Sequence, residues 1–375
     1  MDASSPACLP RVLILPSSIG LESRTIGGGE RYAAEYTRAL ARLTHAEQAL
    51  FHDQQSTSPD DGTPTRVLRW TRNQPGRFPP LTPSAYRALD EYDVLHILCF
   101  PNSTADGFLA SGLLKRQLVV LTDIGGGGRC VSTYLTRLSH RLNPYRLAHG
   151  LAHLSHHAAG MFDSWSLPSM VLHGGARPAF PPDEGTFDGY ALFVGRLLVH
   201  KGVLEVIQAL PRQRKLRVLG RPYDPAYFDA LRDAAVGKDV TFITDADDAE
   251  LARQYRGASV ILQPSLPTSG GKDDRSELLG LVAIEAQMAG KPIIVTRTTS
   301  LPELVQDGIT GCVVEPRNIP ALTNALESFL SNPDYARRIG ANAGQHAQKH
   351  FTWDAVARRG LAFYQTLASR RRAGA

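Results

Sequence analysis

Cysteine is scarce in this chain, and the few cysteines lie far apart. The four positions, Cys8, Cys99, Cys130 and Cys312, form no C-x-x-C pair and have no histidine–cysteine cluster. This distribution argues against a disulfide framework and against a cysteine-bound zinc site, and it favours a reducing compartment.

Long apolar runs and low-complexity tracts are also absent. The first apolar run, Val12–Leu15, is too short for a signal peptide or for a membrane-spanning helix, so the cytoplasm is the expected location. With 375 residues, 43% of them hydrophobic and 21% charged, the composition is that of an ordinary globular enzyme. The length allows two α/β domains, each with its own core.

The charge balance is only mildly basic, at a formal net charge of +5. Such a surface favours anions, for example a nucleotide diphosphate, a phosphorylated acceptor or an acidic membrane face. Because no stripe of aromatic and basic residues and no nucleic-acid-binding motif accompanies the charge, we expect no nucleic-acid partner.

Arginine and histidine are concentrated between residues 129 and 161. They are Arg129, Arg137, Arg141, Arg146, His140, His149, His153, His156 and His157. A solvated helix face is the commoner meaning of such a run. The alternative is a surface that contacts anionic lipid or a phosphorylated acceptor, and lipid contact would make the protein peripheral to the inner face of the cell membrane.

Short runs rich in Val, Ile and Leu alternate with amphipathic stretches along the chain. The predicted strands are Val12–Leu15, Val94–Leu98, Leu118–Leu121, Ala191–Val194, Leu216–Leu219, Val260–Leu262 and Pro292–Val295. The predicted helices include Glu30–Leu43, Val203–Leu210, Ala249–Arg256 and Leu281–Ala289. Nearly all-apolar strands separated by helices predict parallel sheets covered on both faces, which is the doubly wound, Rossmann-like α/β class.

A proline- and glycine-rich stretch at 177–189 interrupts this alternation, which then starts again. It predicts an N-terminal domain over residues 1–180 and a C-terminal domain over residues 181–352, with a cleft between them. Doubly wound sheets bind their ligands at the carboxyl ends of the strands.

Two cations flank the turn after the strand that ends at Val194. Arg196 follows that strand, and Lys201 precedes the next helix, in the run Gly195-Arg196-Leu-Leu-Val-His-Lys201-Gly202. A diphosphate leaving group needs such a pair, because negative charge builds on it as the sugar–phosphate bond breaks. Taken alone, the same run also describes an ordinary turn with solvated cations.

Two glutamates eight residues apart form the second candidate site. If Glu277 lies in a loop and Glu285 in the following helix, both can accept hydrogen bonds from sugar and ribose hydroxyls. Gly280 then lies at the start of the helix, where free N–H groups can bind a phosphate.

A glycine run, Gly27-Gly28-Gly29-Glu30, opens the first predicted helix and forms the third candidate site. From the residues alone it predicts a flexible loop before a helix with an acidic first turn, which the helix dipole favours. It is not a dinucleotide fingerprint, since no G-x-G-x-x-G follows a strand. The acidic group Asp245-Ala-Asp247-Asp248 precedes a helix and predicts an N-cap, so we expect no metal site. A Gly-x-Ser-x-Gly elbow is also missing, which argues against a serine hydrolase of that type.

These motifs carry a resemblance to the retaining GT-B glycosyltransferases, family 4, from about Tyr190 to Pro316. The matching elements, in order, are Gly195-Arg196…Lys201-Gly202, Leu219-Gly220, Asp247-Asp248…Glu250-Leu251…Tyr255, Gln263-Pro264-Ser265, Glu277-x₇-Glu285 and Leu301-Pro-Glu303…Asp307-Gly308…Thr310-Gly311.

The resemblance implies a GT-B fold and a role for each matching residue. Arg196 and Lys201 would bind the donor diphosphate, Glu277 the sugar hydroxyls and Glu285 the ribose. Further donor contacts would come from Gly28, Gly29, Gly195, Ile243, Thr244, Gly280, Leu281 and Val282. It also implies that the last helix, about Trp353–Leu367, returns to the N-terminal domain, so that residues 353–375 join that domain.

The first half departs from the family pattern at one point. The family often has a histidine near the reacting sugar after the strand that ends at Leu121, whereas this chain has Thr122-Asp123 followed by a glycine run. Either Asp123 serves the acceptor or the glycines make room for it. His96, at the end of a strand, is a looser match to the family and a second candidate on the acceptor side.

The activity that the resemblance implies is transfer of a hexose-type sugar from a nucleotide-diphosphate donor to an unidentified acceptor. Transfer would proceed with retention, without a metal or another cofactor. Polysaccharide biosynthesis is a fitting context. The alternatives are a nucleotide-sugar epimerase of the same architecture and a non-catalytic partner that keeps the fold.

Overall fold

The computed structural model describes residues 9–16, 28–52, 62–69, 82–124, 130–176, 186–268 and 276–373. Several sequence features lie wholly or partly outside these ranges: Cys8, Gly27, the glycine run at 125–128, Arg129 and most of the proline-rich stretch at 177–189.

Helices and strands alternate through the described residues. The strands are β1 (Val12–Leu15), β2 (Ala46–His52), β3 (Thr65–Arg69), β4 (Val94–Ile97), β5 (Leu118–Leu121), β6 (Gly150–His153), β7 (Ser169–Val171), β8 (Tyr190–Val194), β9 (Lys215–Leu219), β10 (Asp239–Ile243), β11 (Val260–Gln263), β12 (Ile293–Thr296) and β13 (Gly311–Val314). The helices are α1 (Gly28–Ala41), α2 (Pro83–Ala88), α3 (Ser103–Leu114), α4 (Val131–Leu138), α5 (His156–Gly160), α6 (Val203–Ala209), α7 (Pro225–Ala234), α8 (Asp248–Gly257), α9 (Leu281–Met288), α10 (Leu301–Leu304), α11 (Ile319–Leu330), α12 (Pro333–His350) and α13 (Trp353–Ala373). Short 3₁₀ turns cover Leu89–Glu91, His140–Leu142, Pro144–Leu147, Asp163–Trp165 and Val199–Lys201.

The chain divides into two compact units. The first contains the described residues up to Leu154, then Phe162–His173 and α13. The second contains Ser155–Met161 and the residues from Gly174 to Thr352. The predicted boundary between residues 180 and 181 falls outside the described ranges.

The sheet of the first unit has seven parallel strands in the order β3-β2-β1-β4-β5-β6-β7. Every side chain of β1, β4 and β5 is buried, which explains why these strands are apolar at nearly every position. Strand order reverses between β1 and β4, and ligands of doubly wound sheets bind at such a reversal.

The sheet of the second unit has six parallel strands in the order β10-β9-β8-β11-β12-β13. Adjacent residues of β8 pack into cores on opposite faces: Phe193 joins α6 and α11, and Leu192 joins α8 and α9. Both faces are therefore covered by helices. The reversal here lies between β8 and β11, so the carboxyl ends of these two strands mark the expected ligand position.

The last helix packs on α1 within the first unit through buried aromatic and polar groups. Trp353 meets Tyr32 edge to face, with ring centroids 5.4 Å apart. The hydroxyls of Tyr36 and Tyr364 are 2.9 Å apart, and Tyr364 also contacts Nδ1 of His96 at 2.7 Å. These contacts tie α13 to both α1 and β4.

Candidate functional site

The turn after β8 places Lys201 at the carboxyl ends of the strands of the second sheet. The turn ends at Gly202 in the left-handed region, with φ of 71°, where α6 begins. A Cβ atom at this position would lie 2.0 Å from the carbonyl oxygen of Pro264. Only glycine therefore lets the turn rest directly on the chain that leaves β11.

Lys201 is paired with Glu277 across this edge. The ammonium Nζ lies 2.7 Å from Oε2 of Glu277, and the two side chains are only 15% and 13% exposed. Ser265 donates to the same carboxylate oxygen at 3.4 Å, and the N–H of Gly280 donates to Oε1 at 3.3 Å.

The electrostatics of Glu277 favour the ionised form. Burial by itself disfavours a charged carboxylate, but the ammonium of Lys201 and hydrogen bonds from Gln263 and Gly280 outweigh it. The pKa of Glu277 therefore lies below its usual value. The site thus holds a fixed negative charge beside a fixed positive one at neutral pH.

The backbone of Glu277 is also held in place. Its carbonyl oxygen accepts hydrogen bonds from the hydroxyl of Thr299 at 2.5 Å and from the hydroxyl of Ser300 at 2.9 Å. The loop that follows β12 therefore fixes the glutamate, as a preorganised site requires.

Helix α9 begins beside this carboxylate. Gly280 caps it with φ of 64°, a left-handed conformation that suits glycine. The N–H of Ala283 donates to Oε1 of Gln263 at 2.9 Å, and the N–H of Ile284 to the carbonyl of Gly280 at 3.3 Å. The preceding N–H groups, those of Leu281 and Val282, lie too early in the helix for an intrahelical acceptor, so they can bind an anion.

Glu285 lies one turn into α9, as the sequence predicts, but it is almost fully buried. The hydroxyl of Tyr255, from α8, donates to its Oε2 at 3.2 Å. The contact fixes one oxygen of the carboxylate that is predicted to bind ribose.

The remaining donor-side residues lie along the same sheet edge. Val194, Leu219 and Ile243 pair in register, so Gly195 and Thr244 follow the carboxyl ends of β8 and β10, the two strands that flank β9. Arg196 is exposed, and its guanidinium lies over the ring of Tyr223, 6.0 Å from the ring centroid, rather than on the Lys201–Glu277 pair.

In the first unit, the predicted glycines lie inside the first turn of α1. The described part of this helix covers Gly28–Ala41, and the residue before it lies outside the described ranges. Gly28 and Gly29 are helical, and they stay predicted contacts to the donor.

Asp123 lies at the carboxyl edge of the first sheet in a small titratable cluster. Leu121 pairs with Ile97 of β4 and Leu151 of β6, so Asp123, Cys99 and His153 share one register position two residues later. Burial lowers the pKa of His153 to about 4, although the carboxylates of Asp123 and Asp163 act in the opposite direction. The geometry thus places Asp123 beside His153, which the sequence grouped with the arginines and histidines of residues 129–161 and not with the acceptor side.

His96, the other residue predicted on the acceptor side, has a different environment. It is fully buried, with Nε2 2.7 Å from the hydroxyl of Thr122 and Nδ1 in contact with Tyr364. Burial lowers its pKa to about 3. With both ring nitrogens already bonded inside the core, His96 supports the fold in this geometry instead of facing an acceptor.

Several contacts at the site were not predicted as functional positions. They involve Gln263, Ser265, Tyr255, Thr299 and Ser300. The motif Gln263-Pro264-Ser265 was visible in the sequence, but only the fold shows that it faces Glu277. Within the described ranges, no three His, Cys, Asp or Glu side chains cluster as a metal site would require.

The sequence of the second unit matches known sugar-transferring proteins. Residues 181–346 match the family model described as Glycosyl transferases group 1. D-inositol 3-phosphate glycosyltransferase of Corynebacterium glutamicum is 33% identical over 178 residues, which cover 44% of this chain and 40% of that relative. The chain therefore spans about two fifths of the length of this curated relative.

Solved structures resemble the chain over nearly its whole length. Sucrose-phosphate synthase from Thermosynechococcus elongatus gives a TM-score of 0.70 at 21% identity, covering 96% of this chain and 100% of that one. Anabaena HepE, solved in complex with UDP and glucose, gives 0.70 at 18% identity with the same coverage. The predicted fold class, two doubly wound Rossmann-like domains of the GT-B type, is thereby confirmed, and residues 181–346 resemble the group 1 glycosyl transferases in sequence.

Proposed function

We propose that this chain is a glycosyltransferase that moves a hexose-type sugar from a nucleotide-diphosphate donor to an acceptor, with retention and without a metal. The observation that carries the proposal is the Lys201–Glu277 pair, 2.7 Å apart, beside the start of α9 at the strand-order reversal. A cation, a carboxylate and a helix start are the groups that a sugar diphosphate needs.

The diphosphate would lie between Lys201 and the first N–H groups of α9. An ammonium has three N–H donors, so Lys201 can keep its bond to Glu277 and still bind a phosphate oxygen. Arg196 is exposed, and its long side chain can leave the ring of Tyr223 to reach a second phosphate oxygen. Removing one preorganised donor of this kind typically lowers the rate by about 10²–10³.

The hydroxyl contacts would come from the two glutamates. Glu277 is held by its neighbours in an ionised state, which makes it a strong acceptor for sugar hydroxyls. Glu285, fixed by Tyr255, would accept from the ribose. Ile243 and Thr244, at the end of β10, would border the base.

The transfer step needs no nucleophile from the protein. The bond between the anomeric carbon and the phosphate oxygen breaks, and the acceptor oxygen forms the new bond on the same face of the sugar. The proton of the acceptor hydroxyl leaves with the nucleoside diphosphate. The protein contributes stabilisation of the charge on that leaving group.

The acceptor would bind the first unit. Asp123 and the neighbouring His153 lie at the carboxyl edge of its sheet. Gly28 and Gly29, in α1, remain proposed contacts to the donor. The position of Asp123 supports an acceptor hydroxyl as its ligand, because a carboxylate accepts such a hydrogen bond.

A panel of nucleoside diphosphates, headed by UDP because HepE is solved with it, tests the donor site first. A ligand that binds the native state raises the unfolding temperature. We expect Lys201→Ala to lose this rise and Lys215→Ala, at an exposed position of the same unit, to keep it. No rise with any nucleotide would contradict the proposal.

Product analysis with a labelled nucleotide sugar then tests the reaction. Release of nucleoside diphosphate with transfer of label, lost in Glu277→Gln, is the expected result. An isomerised nucleotide sugar formed without an acceptor would identify an epimerase instead. Nucleotide binding without either reaction, across acceptor screens, would favour the non-catalytic alternative.

A further inference from the structure

Helix α4 turns its apolar residues outward. Val131, Tyr134 and Leu138 are 70%, 58% and 78% exposed, and their spacing places them along one side of the helix. On the inner side, Ser132 is only 1% exposed. A helix on a water-facing surface normally has the opposite arrangement, with apolar residues toward the core.

The exposed apolar surface continues past the helix. Leu142 and Leu147, in the two following 3₁₀ turns, are also exposed, and we call these five residues the α4 patch. Twelve large hydrophobic side chains are exposed among the described residues, and five of them fall within residues 131–147. Scattered single residues would need no explanation, but a cluster of this kind marks an interaction surface.

The sequence of the α4 patch carries charge of one sign. From Arg129 to Leu147 it contains four arginines and no Asp or Glu, whereas 36 acids in 375 residues would place about two in such a stretch. Arg141 is exposed beside Leu142. The carboxylate of Asp106, which contacts this region, already accepts from the N–H of Ser132 and the hydroxyl of Tyr145.

We propose that the α4 patch docks the protein on an anionic phospholipid bilayer. Apolar side chains would enter the boundary between headgroups and acyl chains, Tyr134 would lie at that boundary, and the exposed Arg141 would meet a lipid phosphate. None of the described helices combines the length and the apolar character needed to cross a bilayer. The eight residues of α4 extend about 12 Å, so the helix would lie in the membrane plane.

The charge pattern favours a bilayer over a protein surface. A second copy of this chain packed on the same patch would bring a basic stretch without acids against itself, and like charges at close range are unfavourable. An anionic lipid surface instead attracts the exposed Arg141, which should strengthen binding about fivefold. This inference is independent of the donor chemistry, because it uses residues of the first unit alone.

Sedimentation with lipid vesicles tests the proposal. We expect the wild-type protein to bind vesicles that contain about one third phosphatidylglycerol, to bind phosphatidylcholine vesicles far less, and to be released as salt increases. Leu138→Glu should weaken binding by about tenfold or more, because one apolar contact is lost and a repelled charge is added. Arg141→Gln should weaken it by about fivefold.

The matched control is Val236→Glu, at a position that is 80% exposed in the second unit. It adds the same charge to the protein and should leave vesicle binding unchanged. Equal loss in both glutamate variants would overturn the assignment to α4, as would no binding to anionic vesicles. Loss of self-association in Leu138→Glu without vesicle binding would show that the patch joins two copies instead.

The UDP-induced rise in unfolding temperature separates this result from the proposed function. Leu138→Glu should keep the rise shown by the wild-type protein, which would also show that the variant is folded. If the wild-type protein binds vesicles but no nucleotide raises its unfolding temperature, the membrane surface is supported and the proposed donor site is refuted.

Discussion

Replacing Glu277 by glutamine should destabilise the protein more than breaking an exposed ion pair of equal length. In the wild-type protein, Lys201 and Glu277 are 2.7 Å apart with side chains 15% and 13% exposed. The substitution keeps the shape but leaves the ammonium of Lys201 without its counter-charge. A hydrogen bond to a charged group in such a setting is worth about 2 kcal/mol, so we expect a loss of this size in the free energy of unfolding.

The matched control is Glu315→Gln. Its partner Arg297 also lies at 2.7 Å, but these side chains are 55% and 61% exposed. Water screens an exposed pair, and the expected loss is below about 1 kcal/mol. Urea unfolding followed by far-UV circular dichroism at neutral pH would measure both variants.

The pH dependence gives a second, independent check. Because the pKa of Glu277 is lowered in the folded protein, the unfolded chain takes up its proton first as the pH falls. The stabilisation is therefore complete above the usual value of 4.5 and is lost below it. The difference in the free energy of unfolding between wild type and Glu277→Gln should therefore shrink as the pH falls below 4.5. Two results would refute the reasoning. One is a Glu277→Gln variant with the same free energy of unfolding as Glu315→Gln, and the other is a loss of stability in Glu277→Gln that stays the same as the pH falls below 4.5.

Two further predictions concern the second unit. Gly202→Ala should lower the free energy of unfolding by more than about 2 kcal/mol, because its Cβ would meet the carbonyl oxygen of Pro264. The control Gly237→Ala has a similar φ of 75° but open space around it, and it should lower the free energy of unfolding by about 1 kcal/mol. A similar loss in both variants, measured by urea unfolding, would contradict this. Burial lowers the pKa of Lys291 to about 8, so the unfolded chain binds its proton more tightly, and the contribution of this lysine to the free energy of unfolding should rise by about 3 kcal/mol between pH 8 and 10.5. Lys291→Met should remove that rise, and an unchanged profile of the free energy of unfolding against pH would show that the lysine is not responsible.

The sequence predicts the centre of each sheet better than its margins. All seven predicted strands are present, and their nearly continuous apolar runs reflect burial on both faces. The unpredicted strands are β2, β3, β6, β7, β10 and β13, and four of these form the sheet edges. Edge strands carry charged and small residues, for example Asp239 and Thr241 in β10, so their pattern is weak.

In the candidate site, the sequence predicts the residues but not the contacts between them. The types and local positions of Lys201 and Glu277 follow from their motifs, but their direct contact joins residues 76 positions apart. Such a pairing depends on strand order, which periodicity does not reveal. The same applies to His96, whose place at the end of a strand suggested a ligand contact. Its hydrogen bond to Thr122 depends on the pairing of β4 with β5, and its hydrogen bond to Tyr364 depends on the packing of α13.

The hydroxyl chain through Tyr36 and Tyr364 has a practical consequence for dissecting the protein. A first-unit fragment that stops at His173 would lack α13, and His96 and Tyr36 would lose a buried hydrogen-bonding partner. We therefore expect such a fragment to aggregate when expressed alone. A gene that joins the segment from Trp353 onward to His173 through a flexible linker would restore the missing side chains and give a first unit that can be studied in isolation.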